Sequence, residues 1–434
     1  MRNKSKPSAK APKNTPKEPV AQPQTSVPEV NRHRNRTKKL PLFPAKEQRL
    51  RVILFATLVV LLFAAAIICY IFIDRIVSSH DHYPVEIPEK TYIYDNLTGK
   101  TIEDSSLNSA PIYCIQIPNG LDGARPQAGL SEASIAFEAI AEAGITRFAA
   151  IFKKPSVSAI GPIRSLRLYH LEWDTPFDCA ITHAGGAPSA LAALKAGGYR
   201  DLTENYSYMY RSKGSSLNRR WNNLFTSSSD LANYSQQSGH TSSSPKSFTR
   251  MTDFESQEER ELLAQKISDY EAYVADPSSY ETPVEPASLV TTIELKFGNV
   301  QNFNPVYTYD PDSNTYLRSY ASGAKHVSYT CPEGMSRPTP ELACGEPVQI
   351  APSVVIAMVV SEAKDTDNYH EVIQTTGSGK VYIFQNGTAI EGTWNKTSVS
   401  EQIIFKDANG EEIKLAPGQT WISAIPNYGS VSYR

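Results

Sequence analysis

The sequence predicts an α+β protein: a mixed α/β N-terminal ectodomain followed by a mostly β C-terminal domain, preceded by one transmembrane helix. Three observations carry this reading. Val52 to Ile73 is a run of 22 residues without a charge. Between residues 111 and 198, apolar strand-like runs alternate with helix starts marked by Gly and Pro. From residue 287 onward, short β-type runs follow one another, with Asn386-Gly387 and Asn409-Gly410 as two-residue hairpin signals.

The apolar run comes first. At about 1.5 Å per residue it reaches roughly 33 Å, enough to cross a hydrocarbon core of about 30 Å. Residues 1–51 hold 14 Lys or Arg against 3 Asp or Glu, whereas the rest of the chain is acidic. A basic arm on an acidic body is one pattern of a nucleic-acid binder. Here the cations all precede the apolar run, so topology and attraction to anionic lipid account for them, and no nucleic-acid partner is expected. The Lys/Arg bias places the N-terminus in the cytoplasm and the C-terminal domains outside the cell membrane, as a single-pass protein. The run is longer than a signal-peptide core and no small-x-small site closes it, so residues 52–73 read as an uncleaved signal anchor. Ile67 and Ile68 precede Cys69 where a lipidated cysteine needs a small residue. Residues 1–51, rich in Pro, Lys, Ser, Asn and Gln, have too few apolar groups to offset ordering entropy and read as a disordered cytoplasmic tail.

Residues 74–249 form the N-terminal domain. The stretch 74–110 is an extended lead-in. Pro111 to Ile117 is a strand, and 119–126 is loop chemistry. Residues 134–154 read as two strands joined near Glu142-Ala143-Gly144; a helix over 131–143 is the alternative, since alanine and glutamate favour it. Gly161-Pro162 predicts a helix start, with proline in the first turn. Arg164 and Arg167 then share a face, with His170 one step further. Residues 179–186 are a buried strand entering the Gly185-Gly186 turn, and 187–198 a short helix. Residues 226–249, rich in Ser, Gln and Asn, read as an exposed loop. An acidic helix and a Pro-rich linker occupy 250–286. The β-rich domain is 287–434. Cys331 and Cys344 enclose a Pro/Gly-rich loop and are the preferred disulfide; Cys114 and Cys179 either pair or stay as buried thiols. No Cys/His spacing suggests a metal site, and no cofactor fingerprint is present.

Several long strings carry a resemblance. ARPQAGLSEASIAFEAIAEAGITRFAAIFKK, AIGPIRSLRLYH, ITHAGGAPSAL and the closing GTWNKTS and APGQTWISAIP resemble the YerB-like family of bacterial extracytoplasmic proteins, commonly lipoproteins, built from two domains of unknown function. The resemblance covers most of residues 90–434. It implies a protein of the bacterial envelope and supplies neither an activity nor catalytic residues. The chain departs from the pattern in having an apolar anchor in place of a lipid-modified cysteine. It also reads Trp221-Asn222-Asn223-Leu224-Phe225-Thr226 where the family tends to a Pro-His-Asn-like string.

Arg125, Arg147, Arg164 and Arg167 fall in the most family-like strings, each beside a Gly or Pro corner. Guanidinium forks bind phosphate and carboxylate bidentately. With His183, Gly185 and Gly186 they make a candidate site for an anionic group, such as peptidoglycan, another wall polymer or an envelope protein partner presents. The competing reading pairs each arginine with Glu132, Glu138, Glu142 or Asp178. A second function is a wall hydrolase using His183 with Glu138 or another glutamate in acid/base roles. Trp394 and Trp421 read as core aromatics rather than a glycan-stacking face.

Overall fold

A computed structural model describes residues 53–68, 92–153, 156–213 and 221–434. The chain divides into two compact units, Met1–Glu89 and Lys90–Arg434. In the first, residues 53–68 of the apolar run are helical. Among the described residues no helix is long and apolar enough to cross a membrane. The remainder of the predicted anchor (52 and 69–73), the tail of residues 1–51 and the lead-in from 74 to 91 lie outside the described residues.

The second unit is built on one ten-stranded sheet. From edge to edge its strands are Ile404–Lys406, Thr388–Lys396, Gly377–Gln385, Val354–Val360, Thr420–Pro426, Ile135–Glu142, Ile145–Phe152, Tyr113–Pro118, Ala180–His183 and Arg200–Thr203. Five come from each half of the sequence. The halves meet at a parallel pair, Thr420–Pro426 against Ile135–Glu142. Central strands such as Val354–Val360 (VVIAMVV) are apolar throughout because both faces are covered. One face carries the helices Leu168–Asp174 and Pro188–Ala196. The other carries a four-stranded sheet in the order Thr315–Tyr320, Pro305–Asp310, Thr292–Lys296 and Ser430–Tyr433.

Residues 134–154 take the two-strand alternative. Ala143 (φ 50°) and Gly144 (φ 75°) supply the paired positive dihedrals of a tight hairpin turn. Pairing runs Ala139 to Arg147 and Ile140 to Thr146, then slips to Glu142 opposite Ile145. Ala141 is therefore an extra residue, a β-bulge. In an unbroken strand Glu138 and Glu142 would share a face; the bulge turns them to opposite faces.

Two expectations are corrected. No helix starts at Gly161-Pro162: Gly161 has φ 148° and its backbone pairs with Ala128, while the N–H groups of Ile163, Arg164 and Leu166 donate to Leu224, Gln116 and Gly185. With those donors already used the segment stays extended, and the helix begins at Leu168 with Arg167 as its N-cap. The 226–249 stretch is not all loop. Ser228–Gln237 is a helix whose cap, Ser227, accepts from the Asp230 N–H. Cys114 and Cys179 are joined in a disulfide, as are Cys331 and Cys344. The acidic helix spans Asp253–Ala275 and opens with a reciprocal Thr252–Glu255 capping box. The Asn386-Gly387 turn closes the Gly377–Gln385 and Thr388–Lys396 hairpin.

Candidate functional site

Arg147 and Arg167 converge on Glu142, on the helix-bearing face of the sheet. The hairpin delivers Arg147 and, through the bulge, Glu142; the N-cap of the helix delivers Arg167. Arg147 donates to Glu142 at 2.9 Å and to the Ser165 carbonyl at 2.8 Å. Arg167 also donates to Glu142 and to the carbonyls of Ser165 and Leu166. The Nε–H groups of both arginines are buried and meet no partner among the described residues. Burial, with the Arg167 charge beside it, brings the Arg147 guanidinium down to about 10 despite Glu142, and Arg164 is near enough to add to the effect. Arg164 is half-buried. Its guanidinium donates to the Trp221 carbonyl at 3.2 Å and has no carboxylate partner among the described residues. Two arginines thus share the Glu142 carboxylate, and a third, Arg164, stands near Arg147 without one.

Arg125 is placed elsewhere, in a polar network on the opposite face. Its Nε donates to Asn119 Oδ1 at 2.7 Å, and its guanidinium lies 3.8 Å from the centre of the Tyr320 ring. At the heart of that network is Arg318, which donates to Glu138 at 2.6 Å with both side chains fully buried. Thr146 and Trp421 also donate to Glu138, at 2.9 and 3.3 Å. His326 accepts from Arg318 and gives its other N–H to Gln127 at 3.0 Å. Burial, then Arg318 and Arg125, hold the His326 pKa well below the ordinary histidine value, so it is neutral. Glu138, sealed from solvent, does not meet a polymer.

His183 is buried at its strand end, with Nδ1 2.7 Å from the Gly185 carbonyl and Nε2 3.0 Å from Asp201. Both ring nitrogens are engaged, and neither is left to serve as a base. Gly185 is exposed and needs its positive φ of 67° for the turn; Gly186 pairs its backbone with Leu166. Arg200 takes Asp178 at 2.9 Å. Among the described residues no group of three or more His, Cys, Asp or Glu is placed to hold a metal ion. Trp394 and Trp421 are fully buried. The sequence reading missed Arg318, His326 and Tyr320, because the partners that gather them around Glu138 and Asn119 lie some 180–200 residues away in the chain.

Glu142 should report on acid stability. Burial pushes its carboxyl up, and Arg147 and Arg167 outweigh that, so its pKa lies below the ordinary value. A depressed folded pKa stabilises the fold above the unfolded value of about 4.3, and the contribution is lost as pH falls through the folded pKa. Urea melts of wild type and Glu142→Gln are expected to differ by about 2–4 kcal/mol at pH 7 and to converge as the pH is taken below 4. A difference that stays constant with pH would remove the charge-pairing role.

Two family models match the chain. The N-terminal domain of a protein of unknown function (DUF3048) covers residues 97–241, and its C-terminal domain covers residues 293–422. The protein called "Putative lipoprotein YerB" in Bacillus subtilis (strain 168) is 27% identical over 341 residues, which is 77% of this chain and 87% of YerB. The crystal structure of YerB from Bacillus subtilis matches with a TM-score of 0.58 at 23% identity, over 78% of this chain and 99% of that one, so the two share a fold. Both domain models match in order and together span well over half of the sequence: the chain belongs to the YerB-like family, built from two domains of unknown function.

Proposed function

We propose that this protein is a single-pass, membrane-anchored extracytoplasmic component of the bacterial envelope that binds an anionic group of a cell-wall polymer or protein partner. The observation that carries the binding role is the charge imbalance at the helix-bearing face: Arg147, Arg164 and Arg167 against Glu142, with two buried Nε–H groups unmet. Arg147 and Arg167 are only 5% and 3% exposed, so a ligand from outside meets the half-buried Arg164 first, and phosphate or carboxylate oxygens suit a guanidinium group left short of carboxylate. Arg125 belongs to the buried network, so the binding set is narrowed to the other three arginines with Ser165 and Gly185. Export is supported by two disulfides in the Lys90–Arg434 unit, which persist in oxidising compartments. The apolar run, its cationic flank and the lipoprotein name of the Bacillus relative agree with a membrane-held protein.

Arg164 makes the sharpest test, because among the described residues its side chain has one backbone partner and its loss leaves little buried. Full-length chain in detergent is incubated with cell-wall sacculi carrying their anionic polymers, and the bound fraction is measured by sedimentation. Arg164→Ala is expected to weaken retention about tenfold, the value of one charge-assisted hydrogen bond of about 1.5 kcal/mol, while stability changes by less than about 0.5 kcal/mol. Wild-type protein that does not sediment, or a variant that sediments equally well, sinks the reading. Soluble fragments released from the wall, and lost in His183→Ala, would favour the hydrolase instead.

A further inference from the structure

A cavity of about 340 Å³ lies beside the arginine cluster, lined by Ile140, Gly144, Glu362, Lys364, Glu371 and Tyr428. It is built by a second hairpin, Glu362–Lys364 against Glu371–Ile373. Cross-strand register puts Lys364 opposite Glu371, and Glu362 on the same face two residues away. Tyr428 donates to Glu362 at 2.9 Å, and Lys364 pairs with Glu371. Two carboxylates and one lysine leave the pocket one negative charge in excess. Burial holds the Glu362 carboxyl above its ordinary pKa against the Tyr428 hydrogen bond; the Glu371 charge and a side-chain hydrogen bond with Glu371 add to the rise, and the Lys364 charge opposes it. Two adjoining carboxyl groups are thus served by one lysine and are short of a second cation, as the arginines next door are short of an anion.

The two regions adjoin. The backbone of His370, next to Glu371, bridges to that of Glu142, the residue holding Arg147 and Arg167. Tyr169, whose hydroxyl donates to the Ile140 carbonyl at 2.7 Å, feels Arg167, Arg147, Glu142 and Glu362 together. A cation-deficient cavity and an anion-deficient cluster therefore adjoin at Glu142, whose backbone bridges to the cavity's hairpin and whose carboxylate holds Arg147 and Arg167.

We infer that the cavity is a primary-amine subsite, and that the ligand of the arginine cluster is zwitterionic: a short peptide bearing both a free side-chain amine and a carboxylate. The inference rests on the anion-binding reading above and goes beyond it. The ammonium group replaces the missing positive charge beside Glu362, at a mouth where the exposed Tyr428 ring adds a cation–π face. The carboxylate meets the arginines.

Lysyl-D-alanyl-D-alanine and its Nα,Nε-diacetyl form are titrated into the full-length chain by calorimetry. Both carry the carboxylate, and one carries the amines. The free peptide is expected to bind at least tenfold tighter than the acetylated one. Glu362→Gln, which keeps an acceptor for Tyr428, is expected to reduce that ratio to within about twofold while leaving the acetylated peptide unaffected. Arg164→Ala is expected to weaken both. A ratio near one in wild type, including no binding of either peptide, overturns the amine subsite; so does a Glu362→Gln variant that weakens both peptides equally. Retention on sacculi then tells whether the anion-binding reading survives without it.

Discussion

Glu138→Gln is expected to cost the fold about 3–5 kcal/mol, the usual penalty for removing one partner of a buried ion pair. Arg318 is fully buried, and its remaining neighbours, Tyr307 and a neutral His326, bring no countercharge. The Glu138–Arg318 pair also joins the two halves of the sequence, so the loss falls on one of the contacts between them. Urea unfolding reads the effect directly. A double variant, Glu138→Gln with Arg318→Met, should cost less than the two single changes combined by about 1–3 kcal/mol, because it no longer strands a charge. Strict additivity, or a single-variant loss under about 1 kcal/mol, would show that water reaches the pair.

Opening the Cys114–Cys179 bridge has an effect of similar size. The bond spans 65 residues, and a closed loop of that length restricts the unfolded chain by about 4 kcal/mol. Cys331–Cys344 spans 13 residues and is worth about 3 kcal/mol on the same reasoning. The paired replacement Cys114→Ala with Cys179→Ala should therefore destabilise more than Cys331→Ala with Cys344→Ala. The longer bridge ties strand Tyr113–Pro118 to the residue that leads into Ala180–His183, its parallel neighbour. Measured in urea under oxidising conditions, the reverse order would mean that strain or unfolded-state structure outweighs loop closure.

Local chemistry made much of this legible in the sequence. The Ala143-Gly144 turn, the Asn386-Gly387 hairpin, the Pro188–Ala196 helix and the acidic helix were all signalled by short-range patterns. The Gly161-Pro162 segment was misread because a good first-turn dipeptide was outweighed by partners from Gln116, Leu224 and Gly185, which no window of sequence contains. The same holds for the site. Arginine beside a Gly or Pro corner pointed to Arg147, Arg164 and Arg167, and the fold sets Arg167 and Arg164 near Arg147. It could not separate Arg125 from them, because the partners of Arg125 are Asn119 and the Tyr320 ring. The bulge at Ala141 was invisible, yet it decides which glutamate meets the arginines.

The position of Thr420–Pro426 has a consequence for how the molecule matures. This strand follows both of its neighbours in the sequence and sits in the middle of the sheet, hydrogen-bonded in parallel to Val354–Val360 on one side and Ile135–Glu142 on the other. Until it arrives, Ile135–Glu142 presents a bare apolar border, the kind of surface that captures stray chains. The two halves therefore join late: premature stop codons shortly before residue 420 should yield sticky fragments rather than smaller working domains, and a holdase would have its strongest client in a chain that has not yet placed Thr420–Pro426.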